Sequence, residues 1–254
     1  MFPLVDLKIE LPSPEQADGE RIACKMIDAA YRDGIRGLCY VSSLPFDADA
    51  SLCSANESVE RYASERYPDL TLVASGELHF RDEADARRLS STPATYGRSD
   101  LLAVSLAPQI SPESLYQTLM ILKESGHGIL LTRAETIDCL LSHPTLALRM
   151  TELGIRLQLG AGSVLGENGL LSKGFCRKML KQNAVFSICS HAKDHLRKPP
   201  RLSKCYAYLC RHYGDEIADL LLRKNPAMVL GLTDAEEARR IKDLVDQALL
   251  SPRY

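Results

Sequence analysis

The chain has 254 residues, 45% of them hydrophobic, enough for a sizeable core and within the range of a single α/β barrel domain. Its 31 basic and 33 acidic residues are well mixed and leave a net charge of −2, which excludes a global electrostatic pull towards nucleic acid or anionic membrane. No apolar run reaches the ~18 residues of a membrane span and the start lacks a signal-peptide pattern, so the expected location is cytoplasmic; the eight scattered cysteines, without a CxxC pair, exclude a zinc cluster.

Strand and helix patterns alternate from the start. The stretch "VDLKIELP" (5–12) lies in a first predicted strand, 3–10, and carries Asp6, Lys8 and Glu10 at every second position. Side chains alternate along a strand, so these three are expected on one face. A helical period, "GERIACKMIDAAYRDG", leads to a strand at 35–43, and "SANESVERYASERYP" to a strand at 70–79. Further strands are predicted at 100–106, 128–132, 154–161 and 184–190. Between them lie the helical segments "SPESLYQTLMILKESG", "AETIDCLLSHPTLALRMTELG" and "GENGLLSKGFCRKMLKQN". Ser111-Pro112-Glu113 is a clear helix start, with a capping serine and proline at the first helical position. The tail, about 201–250, is helical throughout and is expected to pack on the outside of the barrel. No linker or composition shift divides the chain, so 1–254 reads as one domain with a parallel sheet covered by helices.

Functional groups of such folds gather at the C-terminal ends of the strands. There the sequence places Lys8 and Glu10, Ser42 and Ser43, Glu77 and His79, Ser105, Thr132 and Arg133, and Ser190, His191, Lys193, Asp194 and His195. The run "HLRKPPRLSK" (195–204) could receive a phosphorylated or acidic peptide on Arg197, Lys198, Arg201 and Lys204, or be simply a solvated charged loop. His143, His127 and His212 read as surface or helix-end residues. The Gly160-Ala161-Gly162-Ser163 segment reads as a strand-to-turn transition, because it lacks a phosphate-loop ending. Ser42 and Ser163 have no His/Asp arrangement to activate them. Cys189, next to the pocket, is expected to alternate away from it.

The order of "SGELHF" (75–80), "DLLAVSLAPQISPESLYQTLMILKESGHGILL" (100–131), "LQLGAGSVLGENG" (157–169) and the final "RKNP" (223–226) resembles the PHP superfamily. Within it, the pattern is similar to the bacterial manganese-dependent tyrosine-protein phosphatases of capsule and exopolysaccharide gene clusters. The resemblance implies a distorted (β/α)7 TIM-like barrel with additional C-terminal helices. It also implies a cluster of manganese ions, and a bacterial tyrosine kinase, a polysaccharide assembly protein or a second copy of the chain as partner.

The metal motifs depart from the pattern. Where the family has Asp-x-His-x-His, this chain has Asp6, Lys8 and Glu10; where it has Thr-Pro-His-His, Ser42-Ser43-Leu44-Pro45. The family's His-Pro-Glu-Arg falls on Thr132-Arg133-Ala134-Glu135, and its Ser-Asp-Ala-His on Ser190-His191-Ala192-Lys193. Asp18-Gly19 and Glu77 are kept, which leaves Asp18, Glu77 and His191 as candidate catalytic residues. A protonated lysine has no lone pair for a metal, and at ~4 Å it repels a divalent ion by several kcal/mol. The expectation is therefore a metal-free network in which Lys8 and Lys193 compensate the acids. Catalysis is then lost or impaired, and an anion would be held by Lys8, Arg133, Lys193 and Arg197. The alternative keeps one Mn²⁺ or Zn²⁺ on Glu10, Asp18, Glu77 and His191, and a third reading is a purely interacting subunit.

Overall fold

The computed structural model describes residues 3–12, 16, 18–48, 56–234, 236 and 238–241. Seven strands form one parallel sheet in sequential order: β1 (Leu4–Ile9), β2 (Ile35–Pro45), β3 (Thr71–Phe80), β4 (Leu101–Leu106), β5 (Gly128–Thr132), β6 (Arg156–Gly160) and β7 (Ser187–Cys189). Every neighbouring pair is parallel. The two edges approach where Glu10 N donates to Ala192 O (2.8 Å) and Ile9 bridges Ala192, so the sheet is a nearly closed barrel.

The connecting helices are α1 (Gly19–Arg32), α2 (Glu57–Arg66), α3 (Glu83–Ala86), α4 (Pro112–Glu124), α5 (Asp138–Ser142), α6 (Pro144–Glu152), α7 (Ala161–Leu165) and α8 (Leu170–Lys181). Local chemistry explains several starts. Asn56 accepts from Val59 N at α2, and Ser111 accepts from Ser114 N ahead of Pro112 at α4. The predicted helix 134–154 is interrupted: a 3-10 turn covers Ala134–Thr136, and the chain then breaks at His143. Pro144 cannot donate a helical hydrogen bond, so it opens a new helix. The segment after β6 also differs from expectation, because Ala161 already begins α7.

The two faces of the sheet bury separate clusters. Outside, Leu38, Leu102, Leu131 and Ile188 pack with Met26 and Ile27 of α1, Leu119 of α4 and Met179 of α8. Inside the barrel, Val5, Leu7, Cys39, Ala103 and Leu130 meet Tyr96, whose hydroxyl donates to Leu7 O. Each such Leu or Ile side chain, fully buried, contributes about 1.5–3 kcal/mol.

The tail adds α9 (Ser203–Tyr213), α10 (Asp215–Asp219), a π-helical turn (Leu220–Lys224) and α11 (Asn225–Val229). Its last helix does not lie outside as expected. Ala227, Val229 and Leu230 join the interior cluster, Val229 O accepts from Arg98 N (2.9 Å), and Leu232 lies where a side chain on Gly37 would go. These contacts fall at the N-terminal ends of the strands and stopper that end of the barrel. The expected continuation of the helical tail beyond 241 lies outside the described residues.

Asn225 anchors this stopper: its buried Nδ2 donates to Phe186 O at 2.7 Å. Replacing Asn225 by Ala leaves that carbonyl without its partner, and we expect a loss of about 1–3 kcal/mol, read as a lower midpoint in urea denaturation at unchanged slope.

Candidate functional site

At the C-terminal end of the barrel a fully buried ion pair sits among the strands. Lys8 Nζ lies 2.5 Å from Glu77 Oε2, with both side chains out of solvent. The other carboxylate oxygen, Oε1, accepts from Thr132 Oγ1 at 2.5 Å, and the same hydroxyl lies 3.2 Å from Val104 O. β1, β3 and β5 are thereby tied across the barrel by one acid. Beside it, His79 Nδ1 is 3.1 Å from Ser105 Oγ.

The three alternating residues of β1 do not converge. The register of β1 on β2 shifts between Asp6 and Ile9, and the side chains part. Lys8 enters the centre. Asp6 is fully buried at the seam, where Oδ1 accepts from Ser190 N (3.0 Å) and Lys8 N (3.2 Å), while Oδ2 has no partner. Burial raises the Asp6 carboxyl to about 6, against the lowering pull of these hydrogen bonds. Glu10 lies beyond the strand at the rim, 2.8 Å from Lys193 Nζ, in a half-exposed pair. Asp18 is exposed on the other side of the first turn of α1, paired with Arg21 at 2.8 Å, and this contact lowers its carboxyl.

A second buried acid stands next to the pair. Glu135 Oε1 accepts from Gly160 N (2.8 Å) and Ser163 Oγ (3.0 Å), and Asn168 Nδ2 donates to that serine (2.9 Å). Its Oε2 is buried without a partner, and burial raises its carboxyl. A side chain on Gly160 would meet Glu135 Oε1 at 2.8 Å and His191 Cδ2 at 3.1 Å, so any larger residue there must displace the carboxylate. Sequence reasoning matched Glu135 to a family motif but gave it no role; a lone acid in "TRAET" carries no periodic signal of burial.

His191 and Arg133 both adopt left-handed backbone conformations, φ 50° and 51°. Side chains other than glycine occupy that region at a cost of about 1–3 kcal/mol, commonly at functional sites. His191 is buried, with Nδ1 unpartnered and Nε2 3.3 Å from Cys189 Sγ. Cys189 therefore does not turn away from this region as alternation predicted, because the His191 backbone folds the ring back over it. Burial first, then the charges of Lys8, Arg133, Lys198 and Lys193, hold the imidazole well below its usual range, so it is neutral. Arg133 Nε is likewise buried without a partner. Beside Ser190 opens a cleft of about 410 Å³ lined by Asn168, Arg197, Lys198, Arg201 and Lys204, with Glu167 as its acid; Lys8, Glu77, Arg133 and His191 do not line it.

His143 is exposed at the start of α6, His127 Nδ1 lies 3.3 Å from Asp100 O, and His212 in the last turn of α9 packs in a tilted ring contact with Tyr208. These three stand apart from the barrel mouth.

The donors do not fit a metal centre. Both Glu77 oxygens are taken by Lys8 and Thr132, Glu10 is held by Lys193 and Asp18 by Arg21. Among the described residues no three His, Cys, Asp or Glu side chains converge. An ammonium ~4 Å from a divalent ion opposes it by about 8 kcal/mol at an effective dielectric of about 20.

Residues 14–231 match the family described as capsular polysaccharide synthesis, CpsB/CapC. This chain belongs to the CpsB/CapC family. It is similar to the tyrosine-protein phosphatase CpsB of Streptococcus agalactiae, with 21% identity over 215 residues, covering 81% of this chain and 88% of the relative. The fold is that of a structure described under YwqE from Bacillus subtilis and CpsB from Streptococcus pneumoniae, unique metal-dependent tyrosine phosphatases. Its TM-score is 0.74 at 17% identity, covering 91% of this chain and 96% of that one. A dihydropyrimidinase from Brevibacillus agri shares the barrel more distantly, with a TM-score of 0.51 at 8% identity, covering 91% and 71% of the two chains. The expected PHP-type barrel is thus the fold found.

Two measurements probe the buried charges of this CpsB/CapC protein. Lys8→Met leaves Glu77 uncompensated and should cost about 3–5 kcal/mol in urea denaturation, while Lys8→Met with Glu77→Gln should recover most of that loss. Asp6, raised from 3.8 to about 6, holds its proton more tightly when folded. Its contribution is therefore complete below about pH 3.8 and lost as pH rises past about 6, a fall of about 3 kcal/mol. An Asp6→Asn variant should lack that slope when unfolding is compared across this window.

Proposed function

We propose that this CpsB/CapC protein serves capsular or exopolysaccharide synthesis from the cytoplasmic side as a phosphotyrosine-directed binding protein that does not hydrolyse its ligand. The observation that carries this reading is the fully buried Lys8–Glu77 pair at the centre of the barrel mouth. Hydrolysis of a phosphate monoester at neutral pH needs a strong nucleophile and neutralisation of the developing charge, both of which metal ions supply when bound. Here Lys8 supplies positive charge held against Glu77. Two base-like contacts to a nucleophile type are present, His191 Nε2 to Cys189 Sγ at 3.3 Å and Glu135 to Ser163 Oγ at 3.0 Å. Cys189 is no substitute, since burial raises its thiol well above the usual range and leaves little thiolate.

Binding is better provided for. Arg133 has a guanidinium with an unpartnered Nε, and Arg197 and Lys198 line the cationic cleft beside Ser190, next in sequence to His191. A guanidinium fork suits a phosphate dianion. Lys8 and Lys193 are each held by an acid, so they contribute field more than direct contact. A tyrosine kinase or a polysaccharide assembly protein bearing phosphotyrosine is the class of partner this arrangement would take.

A second reading, a metal-dependent tyrosine phosphatase on a reduced site, is favoured by the described activity of the relatives. The two separate in one assay. We expect no Mn²⁺-stimulated phosphate release from a phosphotyrosine peptide above the Glu77→Ala background, together with peptide binding weakened about tenfold by Arg133→Ala, equivalent to ~1.4 kcal/mol. Stoichiometric manganese and a turnover that vanishes in Glu77→Ala would establish the enzyme instead.

A further inference from the structure

We propose that the rim of the barrel mouth, formed by loop 194–199 and the start of α8, docks on an anionic lipid bilayer. Leu170, Leu171 and Leu196 would enter the headgroup layer while the cations around them meet lipid phosphates. The leucines are the most exposed large hydrophobic side chains among the described residues, at 86%, 77% and 78%. They flank one cleft: Leu196 lines it from loop 194–199, and Glu167 and Asn168 line it from the turn that leads directly into Leu170.

The same cleft carries Arg197, Lys198, Arg201 and Lys204 against Glu167 alone. None of these four cations forms an ion pair among the described residues. Beyond Leu196 a second cleft, of about 580 Å³, carries Lys25 and Arg32 with Asp28 and Asp33 as its acids. Arg32 is paired with Asp28 at 3.6 Å, so the excess of positive charge lies in the first cleft. The net charge of −2 hides this local excess of positive charge.

The loop is set in place before any encounter. Asp194 Oδ1 accepts from the backbone amides of Leu196 (2.7 Å), Arg197 (2.5 Å) and Lys198 (3.3 Å), which fixes an apolar tip beside two cations. The shape favours a bilayer over a helical protein partner. An amphipathic helix needs an apolar trough, whereas here the apolar groups protrude and the concave surface is cationic. Protruding leucines ringed by Lys and Arg match an interface whose headgroups are anionic and whose interior is hydrocarbon. This inference does not depend on whether the mouth hydrolyses phosphate.

The test is flotation of the full chain with vesicles of phosphatidylglycerol and phosphatidylcholine, against vesicles of phosphatidylcholine alone, at low and high salt. We expect binding to the anionic vesicles only, weakened by salt. The combined Leu170→Ser, Leu171→Ser and Leu196→Ser variant should lose at least about tenfold in partitioning. Arg197→Glu with Lys198→Glu and Arg201→Glu should lose about hundredfold. Leu196→Ser alone, monitored by its melting temperature, guards against a folding defect in the triple variant. Absence of flotation at low salt overturns the proposal. So does undiminished binding of the leucine variant, which would mark simple charge adsorption, or capture of a soluble acidic peptide without vesicle binding, which would assign the rim to a protein.

Discussion

The barrel mouth is organised around one buried ion pair. An acid without solvent requires a partner, and at Glu77 the partners are Lys8 on one oxygen and Thr132 on the other. Three strands are thereby linked across the interior at the end of the barrel where α/β proteins place their chemistry. The pair leaves Glu77 no free oxygen to offer, and its positive member stands where a divalent ion would meet repulsion. Much of the remaining mouth follows from that: His191 is neutral amid cations, Lys193 turns to Glu10 at the rim, and Arg133 retains an unpartnered Nε.

Around this centre Asp6 at the seam and Glu135 behind Gly160 each keep one buried carboxylate oxygen without a partner. Both acids are raised by burial, and both use one oxygen to fasten backbone amides. Asp6 joins β1 to the segment after β7, so barrel closure and the protonation of one carboxyl are coupled. Glu135 joins the ends of β5 and β6 to α7 and packs against position 160, where a side chain would have to displace it. The strained backbones of Arg133 and His191 border the same space. Such concentration of strain and unsatisfied groups is found where a structure sacrifices stability for a site.

The fold joins this centre to the surface in two directions. At the N-terminal end of the strands, α11 and Tyr96 close the barrel with apolar side chains and the Asn225 anchor. At the opposite end the segments after β6 and β7 carry the cationic cleft and the protruding leucines. Membership in the CpsB/CapC family accounts for the scaffold.

The sequence by itself determined the existence and order of the seven strands, because apolar runs bounded by capped helices fix parallel β/α units through local periodicity, while β7, expected at 184–190, spans only Ser187–Cys189. It also determined that Lys8 and Glu77 belong to one end of the barrel, since strand ends are countable. The break at His143-Pro144 was within reach of local chemistry, although the apolar period runs through it. Only the tertiary structure decided which acid takes which cation. A register shift in β1 separates Asp6, Lys8 and Glu10, and alternation counted along one strand does not register a shift against its neighbour. The burial of α11 inside the barrel, the pairing of Asp18 with Arg21 away from Glu77, and the contact of Cys189 with His191 were likewise decided there. Each depends on residues distant in sequence or on a left-handed backbone turn, which no spacing pattern encodes.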